Sequence, residues 1–173
     1  MSTDKPLVNR VAASGLITLK LETFFPATEL STLDLKDYLF RELILREKDF
    51  REAMGQHDWE QYRDKVLLVY CSTDAIIPMW AYMLVASQAS PFASDIFQGP
   101  PEAYYQAYFT RTLAALDVEQ YRDQRIIIKG CSDKPVPAAA YVELTKRLRP
   151  LAKSIMYGEP CSTVPIYKKQ KDQ

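Results

Sequence analysis

The sequence predicts an α/β protein with a mainly parallel sheet, helices on both faces of that sheet, and an internally duplicated βαβ-like unit. Short β-rich runs alternate with helical patterns, which is typical of βαβ units. Two of these runs contain VLLVY and III, the composition expected of strands covered on both faces. The pentapeptide EQYRD occurs at 60–64 and again at 119–123, which indicates a repeat.

The N-terminal part, residues 1–59, is predicted to contain one strand and one or two helices. Residues 16–25 alternate apolar and polar side chains, the period of a half-buried strand, and Pro26 ends that run. Asp34 is expected to cap a helix whose apolar face includes Leu35, Leu39 and Leu43. A second helix is predicted over 47–54, closed by Gly55.

The two repeats are predicted to cover residues 60–101 and 119–160. Each copy begins with a turn, followed by a strand (66–70 and 125–129) and a Cys-Ser pair. A helix (75–87 and 137–148) and a short closing strand (93–97 and 153–157) complete the copy. The connecting segment 102–118 is predicted to be helical, with the helix over 101–116, and 161–173 is predicted to be a C-terminal tail. We expect all these parts to form a single domain. Identical residues at a shift of 59 include Pro78 and Pro137, Ala81 and Ala140, Tyr82 and Tyr141, Ile96 and Ile155, and Gly99 and Gly158.

Composition and charge exclude several classes of protein. The 173 residues are 47% hydrophobic and 25% charged, which is ordinary for a globular chain. Lys and Arg (22) balance Asp and Glu (22), so we expect no nucleic-acid partner. The longest apolar run, 75–86, is too short to span a bilayer, and no membrane association is expected. Three cysteines without a visible signal peptide predict reduced thiols in the cytoplasm.

The cysteines are the main candidates for site chemistry. Cys71 ends one predicted strand, Cys131 ends its duplicate, and Cys161 follows the last predicted strand. Because ligands of open α/β sheets bind outside the carboxyl ends of the strands, we expect the three thiols to share one rim. Hydroxyl and N–H groups that follow each sulfur would stabilise a thiolate. The supporting residues are expected to be Ser72, Asp74, Ser132 and Ser162.

Metal binding is the first interpretation of this rim. Three cysteines with His57, the only histidine, form the ligand set of a closed tetrahedral zinc site. Three thiolates also suit an iron–sulfur cluster with one open iron. The sequence contains no Cys-x-x-Cys pair, so the fold must assemble the ligands. The opposing interpretation is that each cysteine is a small core residue and that His57 packs near a helix end.

Two further functions stay open at this point. One is a thiol-dependent enzyme with Cys71 as nucleophile, His57 as base and Asp58 or Asp74 as the orienting carboxylate. A helix that begins near residues 74–75 would lower the pKa of the thiol, although Asp74 is also explained as the N-cap of that helix. The other is a non-catalytic interaction scaffold with buried, unligated thiols. The sequence does not decide whether the protein is an enzyme.

The remaining aromatic and apolar features are interpreted as structure. The helix at 101–116 carries an aromatic face that is expected to be a packing stripe or a partner surface, since tyrosine is enriched at interfaces. Trp80, Tyr82 and Met83 lie in an apolar helix and are predicted to belong to the core. The oligomeric state stays open, a homodimer included.

Several strings resemble a bacterial family of uncharacterised proteins, domain of unknown function family 2480. They are REKDFRE, HDW, CSTDAIIP, WAYMLVAS, IIIKGCS, AKSIMYGE and CSTVP, and the resemblance extends from about residue 8 to residue 168. It implies no established activity, cofactor or catalytic residue. It does imply genes near those of iron–sulfur cluster assembly, which favours iron or cluster chemistry, or a partner among the iron–sulfur assembly proteins.

Overall fold

The computed structural model describes residues 15–130, 133–159 and 161–170, and the chain divides into two compact units. Unit 1 contains the described residues up to Phe25 and from Tyr108 onward, and unit 2 is Pro26–Ala107. The predicted α/β class with mostly parallel strands is confirmed. In chain order the elements are β1 (Leu16–Leu19), β2 (Leu30–Asp34), α1 (Glu47–Gln56), β3 (Val66–Tyr70), α2 (Met79–Ala89), β4 (Asp95–Gln98), α3 (Pro101–Ala114), β5 (Arg125–Ile128), α4 (Ala138–Leu148), β6 (Ser154–Glu159) and β7 (Ser162–Lys168).

Unit 2 is built on a three-stranded parallel sheet in the order β2-β3-β4. The four residues 66–69 of the central strand are all buried, since apolar side chains alternate toward two covered faces. Leu67 and Val69 pack in one core with Phe50 and Met54 of α1 and with the inner face of α2. The continuous apolar run in the sequence therefore becomes the centre of this unit.

Unit 1 has a four-stranded sheet in the order β1-β5-β6-β7. The first three strands are parallel, and β7 turns back to pair antiparallel with β6. All three isoleucines of β5 are buried, and two of them, Ile126 and Ile128, share a core with Leu144 and Leu148 of α4. The sequence led us to expect one sheet, whereas the strands form two, one in each unit.

Equivalent elements of the two units begin 59 residues apart in the sequence. Strand β5 begins at 125 against 66 for β3, and α4 begins at 138 against 79 for α2. The EQYRD turn repeats its contacts, because Arg63 pairs with Glu60 as Arg122 pairs with Glu119. The residue after each arginine is an aspartate in left-handed backbone conformation, with φ of 60° and 57° respectively. Local structure thus repeats along with the sequence, while duplication as the origin of the repeat stays a prediction.

Two expectations for the N-terminal part are wrong. The strand predicted over 16–25 ends at Leu19, and Leu21–Phe24 forms a 3₁₀ helix instead. The helix predicted to begin at Asp34 is absent, because Leu30–Asp34 pairs with β3 as a strand and only Leu35–Tyr38 continues as a 3₁₀ turn. Pairing with a distant strand overrides the local helical pattern here. The predicted helix at 47–54 is confirmed and extends to Gln56.

Two further boundaries differ from expectation. Helix α2 begins at Met79 rather than at 75, because residues that precede a proline disfavour helical backbone and Pro78 is the N-cap. The segment after 161, predicted as a tail, contains β7. Within the described ranges, no helix has the length and apolar character needed to cross a membrane.

Candidate functional site

Cys71 lies directly after β3, at the carboxyl edge of the parallel sheet of unit 2. Its thiol is partly exposed and lies 3.2 Å from the hydroxyl oxygen of Thr73. The next residue, Ser72, donates its backbone N–H to Oδ1 of Asp34 at 3.0 Å, which fixes the loop to the end of β2. Cys71 is therefore a partly exposed thiol that contacts a hydroxyl group and also packs against the edge of the unit 2 core.

Asp34 connects the ends of the two adjacent strands. Burial alone would raise its pKa, but hydrogen bonds from Ser72 and Lys36 and the charge of Lys36 outweigh that effect, so the pKa is lowered. The carboxylate caps the 3₁₀ turn through the backbone N–H of Lys36 at 3.1 Å. The predicted capping role of Asp34 is correct in kind, although it caps a 3₁₀ turn.

Asp74 does not cap α2, contrary to expectation. It is exposed in the loop before the helix, and no side chain caps the helix at Pro78. Because α2 begins eight residues after Cys71 in sequence, the helix start expected at 74–75 to lower the thiol pKa is absent. Neither of these observations supports the nucleophile interpretation.

His57 is held by tyrosine side chains. Its Nε2 lies 2.8 Å from the hydroxyl of Tyr62, its Nδ1 lies 3.4 Å from the hydroxyl of Tyr38, and its ring stacks on that of Tyr62. Burial lowers the pKa of His57, with Asp58 acting weakly in the opposite direction. Burial also raises the pKa of Tyr62 to about 12. Each ring nitrogen of His57 therefore lies near a tyrosine hydroxyl group.

The other predicted ligands are distributed along the chain. Cys131 and Ser132 lie outside the described residues. Cys161 is exposed between β6 and β7, and Ser162 opens β7 opposite Glu159. Cys71 and Cys161 thus belong to different compact units. Among the residues that the structure describes, no group of three or more His, Cys, Asp and Glu side chains is placed to hold a metal ion.

An exposed apolar surface adjoins the Cys71 loop in unit 2. Leu43, Ile44 and Ile76 line one shallow cavity of about 370 Å³ together with Thr73, and Ile76, Met79 and Met83 line the next. Ile76 is 89% exposed and Met83 is 71% exposed, so the core position predicted for Met83 is wrong. We call this set the unit 2 apolar surface: Leu43, Ile44, Ile76, Met79 and Met83.

Carboxylates flank the unit 2 apolar surface. Glu42 and Asp74 are exposed and line the same cavity as Ile76. Arg41 and Glu42 have left-handed backbone conformations, with φ of 50° and 60°, and they form the tip of a short turn closed by a bridge between Phe40 and Ile44. Such conformations cost free energy for side chains other than glycine, and this turn presents apolar groups to solvent.

A larger cavity of about 870 Å³ lies in unit 1 between α4 and the strands β5, β6 and β7. Its walls include Tyr141 of α4, Tyr157 of β6 and Ile166 of β7. Gly130 also lines it, and a Cβ there would lie 2.7 Å from Cζ of Tyr157, so glycine permits this approach. The sequence did not indicate this cavity, because β7, which forms one of its walls, was predicted to be a C-terminal tail.

The aromatic face of α3 is largely a packing stripe. Tyr104 is 4% exposed and Phe109 is fully buried. Trp80 and Tyr82 are partly buried against the unit 2 core.

Fold and site together define a two-unit α/β protein with partly exposed thiols and with apolar cavities between helices and mainly parallel sheets. A family model described as "Protein of unknown function (DUF2480)" matches residues 5–169, and the chain belongs to this family. The resemblance found in the sequence is thereby confirmed. Neither a curated protein nor a solved structure matches the chain.

Proposed function

We propose that the protein is a cytoplasmic accessory protein that docks a partner through the unit 2 apolar surface. The observation that carries this proposal is the exposure of five neighbouring apolar side chains, from 58% at Ile44 to 89% at Ile76. Large apolar side chains that cluster in solvent, rather than being scattered singly, mark interaction sites. Two of the five are methionines, whose flexible thioether side chains adapt to a partner.

The charges beside this surface define the partner's chemistry. Glu42 and Asp74 are exposed, and within the described ranges neither is paired with a cation. A complementary partner therefore presents an apolar segment flanked by lysine or arginine. The two described cysteines are free thiols, which favours the cytoplasm as the place of this encounter.

Site-specific photo-cross-linking in living cells that express the full chain tests the docking proposal. A photoreactive amino acid at position 79 is expected to form an adduct with one protein, whereas the same amino acid at exposed Gln88 of α2 should not. The double variant E42K/D74K should reduce adduct formation at least about fivefold, because it reverses the complementary charge.

Equal adduct formation from positions 79 and 88 would contradict docking at this surface. So would a yield that E42K/D74K leaves unchanged while the variant keeps its normal thermal unfolding. The absence of any adduct from position 79 counts against the proposal in the same way.

A second candidate function is metal or iron–sulfur handling by Cys71, Cys131 and Cys161. The observation that favours it is that both described cysteines reach solvent as free thiols, although free cysteine is among the most frequently buried residues. On this proposal zinc or a cluster is bound by thiolates, with His57 as a further ligand, and the docked partner is an iron–sulfur assembly protein. The docking surface beside the Cys71 loop would bring the partner to the thiol.

Metal and acid-labile sulfide analysis of protein purified without oxygen or chelator tests the metal proposal. We expect about one zinc ion or one cluster per chain, and each Cys→Ser variant at 71, 131 and 161 should lose metal and stability together. Metal-free protein after reconstitution with zinc, iron and sulfide would exclude this function. If Cys71 then alkylates much faster than Cys161, the thiol-enzyme alternative with Cys71 as nucleophile gains support.

A further inference from the structure

The unit 1 cavity has the size and lining of a small-molecule site. Its volume of about 870 Å³ falls within the usual range for such sites. Apolar and aromatic side chains dominate its walls, with Met156 and Tyr157 from β6 on one side and Tyr141 from α4 on another. The rings of Tyr141 and Tyr157 meet edge to face, with centroids 5.9 Å apart. A ligand body held here would therefore be apolar.

Two cations at the C-terminal end of α4, Lys146 and the C-cap residue Arg149, give this cavity a charged side. Lys146 and Arg149 both line it. Lys146 is paired with Glu143, whereas the guanidinium of Arg149 stacks over the ring of Tyr167 at 3.8 Å from the centroid. Among the described residues, no carboxylate lies within ion-pair distance of Arg149. Stacking fixes the plane of the guanidinium and leaves its N–H edge for a planar anion.

The corresponding region of unit 2 lacks these features. At the shift of 59 residues, serines stand where unit 1 has Lys146 and Arg149, and Gln98 stands in place of Tyr157. The equivalent cavity is smaller, at about 510 Å³. The described sheet of unit 2 also contains no strand equivalent to β7. The cations and the additional wall are therefore specific to one of two otherwise similar units.

We propose that unit 1 binds a small amphipathic monocarboxylate, with its apolar body in the cavity and its carboxylate on Arg149. Lys146 lies one helical turn before Arg149, but its pairing with Glu143 leaves Arg149 as the cation available to the headgroup. A guanidinium with a free edge accepts a carboxylate through two parallel N–H···O bonds, which favours this headgroup over a neutral one. The inference stands independently of partner docking at unit 2.

Fluorescence titration with 11-(dansylamino)undecanoic acid and its methyl ester tests the proposal on the full chain. The acid is expected to bind at least about fivefold more tightly than the ester, because only the acid carries the charge. Arg149→Met should abolish this preference while the affinity for the ester changes little. Arg125→Met, an exposed change at the amino end of β5, should leave the preference intact.

A second pair of variants keeps the test valid if Arg149→Met unfolds the protein. Val142 is 67% exposed on the cavity wall, so Val142→Glu should fold normally and weaken binding of the acid about fivefold by repulsion. The matched control, Gln88→Glu, adds the same charge at an exposed position of α2 that lines neither unit 2 cavity, and it should have no effect. Equal binding of acid and ester would overturn the proposal. It would also be overturned by the absence of saturable binding of either probe, or by equal effects of Val142→Glu and Gln88→Glu.

Discussion

Single side chains decide which predicted site residues remain candidates for chemistry. Cys71 contacts the Thr73 hydroxyl at the edge of a sheet, so its thiol is available to a ligand or reagent. His57, by contrast, has a tyrosine hydroxyl near each ring nitrogen. A metal at His57 would have to displace one of these contacts. The residue types alone could not distinguish the two situations, because the partners come from other segments.

The first residue-scale prediction concerns the protonation of His57. Its pKa in the folded chain is lowered from 6.5 by burial, so the unfolded chain binds a proton more readily than the folded chain does. The free energy of unfolding should therefore be highest above pH 6.5 and should fall as the pH drops below it toward the folded pKa. Because His57 is the only histidine, no other imidazole contributes to this decrease.

Urea unfolding followed by tryptophan fluorescence at pH 7.5, 6.5 and 5.5 measures the effect. His57→Gln removes the titrating group, so its stability should decrease less over this range than that of the unmodified chain. Carboxylates titrate in both proteins, so their contribution to the pH dependence of stability cancels when the two proteins are compared. Parallel curves for the two proteins would show that His57 does not link pH to folding.

At the scale of elements, the sequence pattern correctly predicted those helices and strands whose structure depends on their own residues. The apolar run of β3 has the predicted bounds, α4 begins within one residue of its predicted start, and α1 and α3 lie where expected. Strong periodicity and proline or glycine boundaries are sufficient for such elements. Their type follows from their own residues.

The elements that were missed depend on distant partners. Strand β2 carries a polar mixture, LSTLD, and becomes a strand by pairing with β3. Strand β7 contains Pro165 and is a strand only because it pairs antiparallel with β6. Pro within a run argues against a strand unless the strand is at an edge, which is where β7 lies. The unit 1 cavity was unpredictable for the same reason, since β7 forms one of its walls.

At the scale of the whole molecule, the two units repeat the same local structure. In each unit a parallel βαβ segment follows a turn with the same ion pair, the same backbone hydrogen bonds and the same left-handed aspartate. The candidate sites then diverge, because unit 2 exposes an apolar surface whereas unit 1 has a larger open cavity with a cationic side. A shared scaffold with different surface residues would account for the two different binding roles proposed for this chain.

The repeated turn leads to a matched prediction for both units. Asp64 and Asp123 have φ of 60° and 57°, a region that aspartate and asparagine tolerate and β-branched residues do not. Asp64→Val and Asp123→Val should therefore each destabilise the protein by about 1–2 kcal/mol. Asp→Asn at either position keeps the backbone preference and should cost less than about 0.5 kcal/mol. The Asn variants also control for the charge that Asp123 presents to Lys169.

Urea unfolding of the four variants gives the comparison. If the two units use the turn in the same way, the two valine variants lose similar stability. A valine that costs nothing at one position would mean that the left-handed turn is not a requirement of that unit.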